Sequence, residues 1–196
     1  MSYRKNIIKL SHSRVEPIKY FIDANVWIYA MQNPNSLQYW ENKYANFFFD
    51  IIDSDLDPQP KIILPSLLIS EIINTYLRQV ALKEYKKIVG ASSVSPDYFK
   101  RDYRPTQHYK DNLEQICDDI LGYKSSIDFV SDDLMVKNPD IILKVPSSNF
   151  DYNDYIYYCM CQDISATTSL AMITNDSDMD VSDIKILTEN RTLLAL

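Results

Sequence analysis

Four short, mostly apolar runs, at residues 18–22, 61–64, 171–174 and 184–187, constrain this chain more than any other feature. Each is too short for a self-sufficient helix, and each lacks the polar alternation of a strand with one wet face. That pattern belongs to strands covered on both sides. Between the runs the apolar spacing becomes helical. Asn25–Met31 and Leu37–Ile52 read as helices, the second with Tyr39, Trp40, Tyr44, Phe47, Phe48 and Ile51 at helical intervals. Asp55–Pro60 reads as a turn. Pro65 and Ser66 open a third helix that runs to Val89, where Gly90 stops it. Residues 107–123 and 151–163 read as helices, 91–106 as a loop and 137–149 as a linker; 124–136 fit no single pattern. Strands alternating with helices predict a parallel sheet covered by helices, in one domain at this length.

Composition narrows the chemistry. The chain has two glycines, Gly90 and Gly122, so it holds no glycine-rich phosphate loop and no nucleophile elbow. Its two histidines, His12 and His108, stand apart, which leaves a Ser-His-Asp device or a histidine-based zinc site without support. Cys117, Cys159 and Cys161 lack zinc spacing and read as reduced thiols of a cytoplasmic protein. No run reaches membrane-spanning length, and Met1–Lys5 lead into no signal-peptide core.

The acids are placed unusually. Asp23 closes the first apolar run, and Asp176 and Asp178 follow the third. Glu71 lies early in the helix after the second run, and Asp154 opens the helix before the third. In parallel sheets functional groups gather beyond the carboxyl ends of the strands, so this topology brings the four stations to one edge. Carboxylates beside buried elements need a reason, and a hard divalent cation is the simplest.

These segments resemble the motifs of PIN-domain ribonucleases. Phe21-Ile22-Asp23-Ala24-Asn25-Val26-Trp27 is similar to the family's opening motif, and Leu64–Ile72 to its glutamate-bearing second. Asp151-Tyr152-Asn153-Asp154-Tyr155-Ile156 is similar to the third, and Ile173–Met179 to the fourth. The four occur in the family's order. The resemblance implies a three-layer α/β/α sandwich with a central parallel sheet of about five strands. It spans residues 1–196 as a single PIN-like domain with a helical insert at 84–148. It further implies a Mg²⁺- or Mn²⁺-dependent endoribonuclease. Asp23, Glu71, Asp154 and Asp176 would be catalytic and metal-binding, Asp178 a further ligand, and Asn25 the residue that orders the site. Tyr155-Ile156 favours Asp154 over Asp151, whereas Met179 leaves the choice between Asp176 and Asp178 open. Such carboxylates hold cations that acidify a water and offset charge on the phosphate, with no histidine or covalent nucleophile. Many bacterial members are toxins of toxin–antitoxin pairs, so the implied partners are RNA, an antitoxin protein and a second copy of the chain, with no membrane.

The insert carries its own signal. Residues 78–110 hold eight Lys/Arg against three acids, a balance of +5 in a chain of net charge −7. Tyr98, Phe99, Tyr103 and Tyr109 interleave with them. Cations for phosphates and aromatics for bases suit single-stranded RNA, with Lys100, Arg101 and Arg104 as substrate contacts. A solvated face over packed tyrosines is the plainer reading. Two rival functions stand beside the nuclease. A haloacid-dehalogenase-like phosphatase needs a second acid where this chain has Asn25, and leaves Glu71 without a role. A non-catalytic RNA- or protein-binding module would leave the acidic set unused.

Overall fold

The computed structural model describes residues 6–91, 95–133, 139–143, 150–181 and 183–195. Its centre is one six-stranded sheet. The strands are β1 (Ile7–Lys9), β2 (Lys19–Ile22), β3 (Lys61–Pro65), β4 (Ile127–Val130), β5 (Leu170–Ile173) and β6 (Lys185–Thr188), in the spatial order β1-β6-β5-β2-β3-β4. Every pairing is parallel. The four expected runs are β2, β3, β5 and β6, the inner strands, and nearly every residue in them is buried. The two unanticipated strands are the edges. β1 has three residues, and β4 mixes buried Ile127 with exposed Phe129 and with Asp128, which pairs with Lys19 at 3.0 Å. An edge strand has less of its surface covered, so the continuous apolar signal is missing there.

Helices cover both faces. α1 (Ala24–Ala30) and α2 (Tyr39–Ile52) follow β2. α3 (Ser66–Tyr76) passes through a π-helical turn at Leu77–Ala81 into α4 (Leu82–Ile88), where the sequence pattern suggests one uninterrupted helix. α5 (Gln107–Gly122) leads to β4, α6 (Pro139–Ile142) is a single turn, α7 (Tyr152–Ser165) precedes β5, and α8 (Arg191–Leu194) follows β6. Neighbouring residues of a strand face opposite ways. Tyr20 meets Phe47 of α2, ring centroids 6.1 Å apart, while Phe21 meets Tyr157 of α7 at 5.3 Å. The sheet is therefore the middle layer of an α/β/α sandwich.

Local chemistry explains several element ends. Gly90 takes φ +68°, and the N–H groups of Gly90 and Ala91 return to the carbonyls of Lys87 and Lys86, closing α4 with bonds that need a left-handed residue. Pro65 precedes α3 and offers no side-chain cap. Asp132, just past β4, does so instead, accepting from the Leu67 N–H at 3.2 Å and from the Ser66 hydroxyl.

The segment expected as a helical insert is not all addition. β4 belongs to the sheet, and Ile116 and Ile120 of α5 enter the main core. What stands apart is a small second core of Leu77, Ala81, Phe99 and Tyr103, under a π-helical segment at Phe99–Tyr103. Of the linker expected over 137–149, residues 137, 138 and 144–149 lie outside the described residues, as do Ser92 and Ser93 of the expected loop.

Candidate active site

The connections from β2 and β5, adjacent at the centre of the sheet, leave in opposite directions: β2 leads toward β3, and β5 toward β6. In doubly wound sheets such a reversal, at the carboxyl ends of the two strands, is where binding crevices form. Asp23 is the first residue past β2, and its N–H bonds the Ile173 carbonyl of β5 at 3.0 Å. It occupies the cap position of α1, yet its side chain turns to β5, where Oδ2 accepts from the Thr174 hydroxyl at 3.0 Å. The same hydroxyl oxygen accepts from the Asp176 N–H at 2.9 Å, and Asp176 Oδ1 accepts from the Asp178 N–H at 2.9 Å. Fully buried Thr174 thus joins the ends of β2 and β5.

Glu71 and Asp154 come in from the helices. Glu71, in the second turn of α3, accepts from the Tyr157 hydroxyl at 2.5 Å and from the Asn153 amide at 3.5 Å, both on α7. Asp154 lies in the first turn of α7 and is half-buried. Asp151 is the cap of that helix, accepting from the Asp154 N–H at 3.0 Å. The two acids therefore differ: Asp151 caps the helix, and Asp154 lies within electrostatic reach of Asp151, Asp176, Asp23 and Glu71.

The electrostatics follow. Burial, then the charges of Asp151, Asp176, Asp23 and Glu71, raise the Asp154 carboxyl to about 8. Burial raises Asp23 to about 6; the Thr174 hydrogen bond opposes this, while Glu71 and Asp176 add to it. Burial and the bond to Glu71 raise the Tyr157 hydroxyl as well, so it stays a donor. Among the described residues no lysine or arginine pairs with any of these acids. Burial and neighbouring negative charge leave Asp154 and Asp23 holding protons toward neutrality, or a cation in their place. The donor set is all hard oxygen, which fits Mg²⁺ or Mn²⁺. As placed, however, no three Asp, Glu, His or Cys side chains among the described residues stand close enough to share one ion. Binding would require the carboxylates to draw together.

The remaining expected residues lie around this centre. Asp178 is exposed, and Asp176 is the acid of the pair whose charge acts on both Asp23 and Asp154. Asn25 is exposed on the first turn of α1. Lys100, Arg101 and Arg104 are exposed on the second core, with Arg101 bound to its neighbour Asp102 at 3.1 Å. Phe99 and Tyr103 are buried, Phe99 lying under the guanidinium groups of Arg78 and Arg104, so neither ring offers a stacking face. A groove of about 340 Å³ runs along α3 and into the π-helical turn, from Glu71 past Asn74 to Arg78.

Three partners escaped the sequence reading: Thr174, Tyr157 and Asn153. Thr174 carried a weak signal as a polar residue closing an apolar strand run. Tyr157 sits three residues after Asp154, hence on the same side of the helix. Nothing in the sequence pairs it with Glu71, 86 positions away.

Fold and site define a doubly wound α/β protein with an acidic crevice at its switch point. No protein-family model matches the chain, and a search of curated proteins finds no match.

Proposed function

We propose that this protein is a metal-dependent endoribonuclease that hydrolyses RNA phosphodiester bonds in the acidic crevice. The observation that carries the proposal is that Asp23, Glu71, Asp154 and Asp176 lie within electrostatic reach of one another near the switch point, without a basic partner among the described residues. The order of the four motifs and the α/β/α layering support the same reading. Asp23, Asp154, Asp176 and Glu71 would hold one or two divalent cations, whose bound chemistry is to acidify water and offset phosphate charge. The protein's own part is positional: Thr174 aims Asp23, Tyr157 and Asn153 hold Glu71, and the Asp151 cap sets the first turn of α7. The phosphatase reading gains nothing from Asn25, whose exposed amide is no acid.

The test is cleavage of a mixed RNA panel with Mg²⁺ or Mn²⁺ by wild type, Asp23→Asn and Asp154→Asn. Metal-dependent cleavage lost in both variants is the expected result. Turnover in excess EDTA refutes it, and hydrolysis of a phosphomonoester with no RNA cleavage replaces it with the phosphatase. The toxin role is read by expression: wild type arrests growth, and Asp23→Asn does not.

A further inference from the structure

A cavity lies beside the acidic site, on the other side of Asn175. About 810 Å³ in volume, it opens between α2 and α8 and is walled on the crevice side by Asn175. Asn175 stands between Thr174, which holds Asp23, and Asp176, so the cavity and the crevice share one stretch of chain. That shared wall is tied to both neighbouring elements by hydrogen bonds. The Asn175 side-chain oxygen accepts from the Tyr44 hydroxyl at 3.2 Å, and its carbonyl accepts from the Asn190 amide at 2.6 Å.

The lining has two chemistries. One is aromatic. Tyr39, at the start of α2, is 80 % exposed, an unusual exposure for so large a ring. Lys43 lies against one side of it, 4.8 Å from the centroid. Trp40 beside it is half-buried and held edge-on to Tyr29 and Tyr44. The other chemistry is cationic. Lys9, Lys43 and Arg191 enter the lining against a single acid, Glu189. Glu189 is nearly inaccessible and already bound, to Lys43 at 2.9 Å and to the Ser11 N–H at 2.7 Å. The excess over that pair is positive, in a protein of net charge −7.

We infer that this cavity binds one nucleotide of a single-stranded RNA, its base against Tyr39 and Trp40 and its phosphate toward Lys9 and Arg191, next to the strand's passage over the acids. The volume is that of a small-ligand site. Open aromatic faces beside cations are the means by which unpaired strands are held, since every base has a π-face and every linkage a charge. A duplex hides its base faces in the stack and cannot use Tyr39. The inference rests on the nuclease reading for the continuity of strand and crevice, yet the cavity can be tested without turnover.

The chain has two tryptophans, and Trp27 is fully buried, so a change in emission on adding RNA reports Trp40. In EDTA, oligouridylate and oligoadenylate should change that emission and bind more tightly than the free mononucleotides. Tyr39→Ala should weaken oligomer binding about tenfold or more, and Tyr39→Phe should restore it, because the ring and not the hydroxyl is used. Arg191→Ala should flatten the dependence of log K on log salt by about 0.7. Unchanged affinity and salt slope in Tyr39→Ala and Arg191→Ala overturn the inference, as does equal binding of duplex RNA or of a free mononucleotide. The two proposals fail separately. Tyr39-dependent binding without cleavage by wild type removes the nuclease and keeps the cavity. Cleavage with the same KM in wild type and Tyr39→Ala does the reverse.

Discussion

Thr174 and Tyr157 carry the positional work of the site, and each can be removed alone. Thr174→Val deletes a buried hydroxyl that gives one hydrogen bond and takes another. The Asp176 N–H and the Asp23 carboxylate both lose a partner, so unfolding in urea should show a loss of about 1–3 kcal/mol. Tyr157→Phe leaves the ring against Phe21 and removes only the donor to Glu71. On the proposed nuclease reading, activity on RNA should fall about 10–100-fold while stability changes little, the pattern of a residue that orients a ligand. The acids predict a pH dependence. Asp154 at about 8 and Asp23 at about 6 both lie above their ordinary value of 3.8. Between those values the folded protein holds protons that the unfolded chain releases, so stability falls as pH rises. In EDTA the melting temperature should therefore be higher at pH 5 than at pH 8.5. Asp154→Asn should shrink the difference, and Mg²⁺ or Mn²⁺ should recover stability at the higher pH. A melting temperature that rises toward pH 8.5 in EDTA would contradict the raised carboxyls.

Element by element, the inner strands and the main helices were legible because their signals are local. β2, β3, β5 and β6 are continuous apolar runs since both faces are covered, and α2 shows its core stripe through Tyr44, Phe47, Phe48 and Ile51. The edges were not legible, because β1 and β4 have less of their surface packed. The region after α3 shows the limit of reading composition as surface. Phe99 and Tyr103 alternate with cations in sequence, as an RNA-binding surface would, but the segment turns these rings inward against Leu77 and Ala81. Phe99→Ala should cost about 3–5 kcal/mol locally. Hydrogen exchange should then lose protection across Leu77–Tyr103 while β2 and β5 keep theirs. Gly90→Ala meets no neighbour but forces a side chain into the left-handed region, at a cost of about 1 kcal/mol.

For the molecule as a whole, the sequence by itself determined the class of fold and the identity of the acids at the strand ends. Both are set by spacing along the chain: runs of four apolar residues, helical intervals, a carboxylate at the residue where a run stops. Only the tertiary structure decided which groups hold each acid. The strand order sets β2 beside β5, so Asp23 meets Thr174 across 151 positions, and α7 comes near α3, so Tyr157 reaches Glu71. It also assigned Asp151 to the helix cap and Asp154 to the crevice, buried the aromatics of the second core, and built the cavity under Tyr39 from residues near both ends of the chain. The physical reason is one of range. Periodicity is a property of neighbours in sequence, whereas raised carboxyls, a shared hydroxyl and a cationic aromatic cavity come from groups that meet only once the sheet has formed.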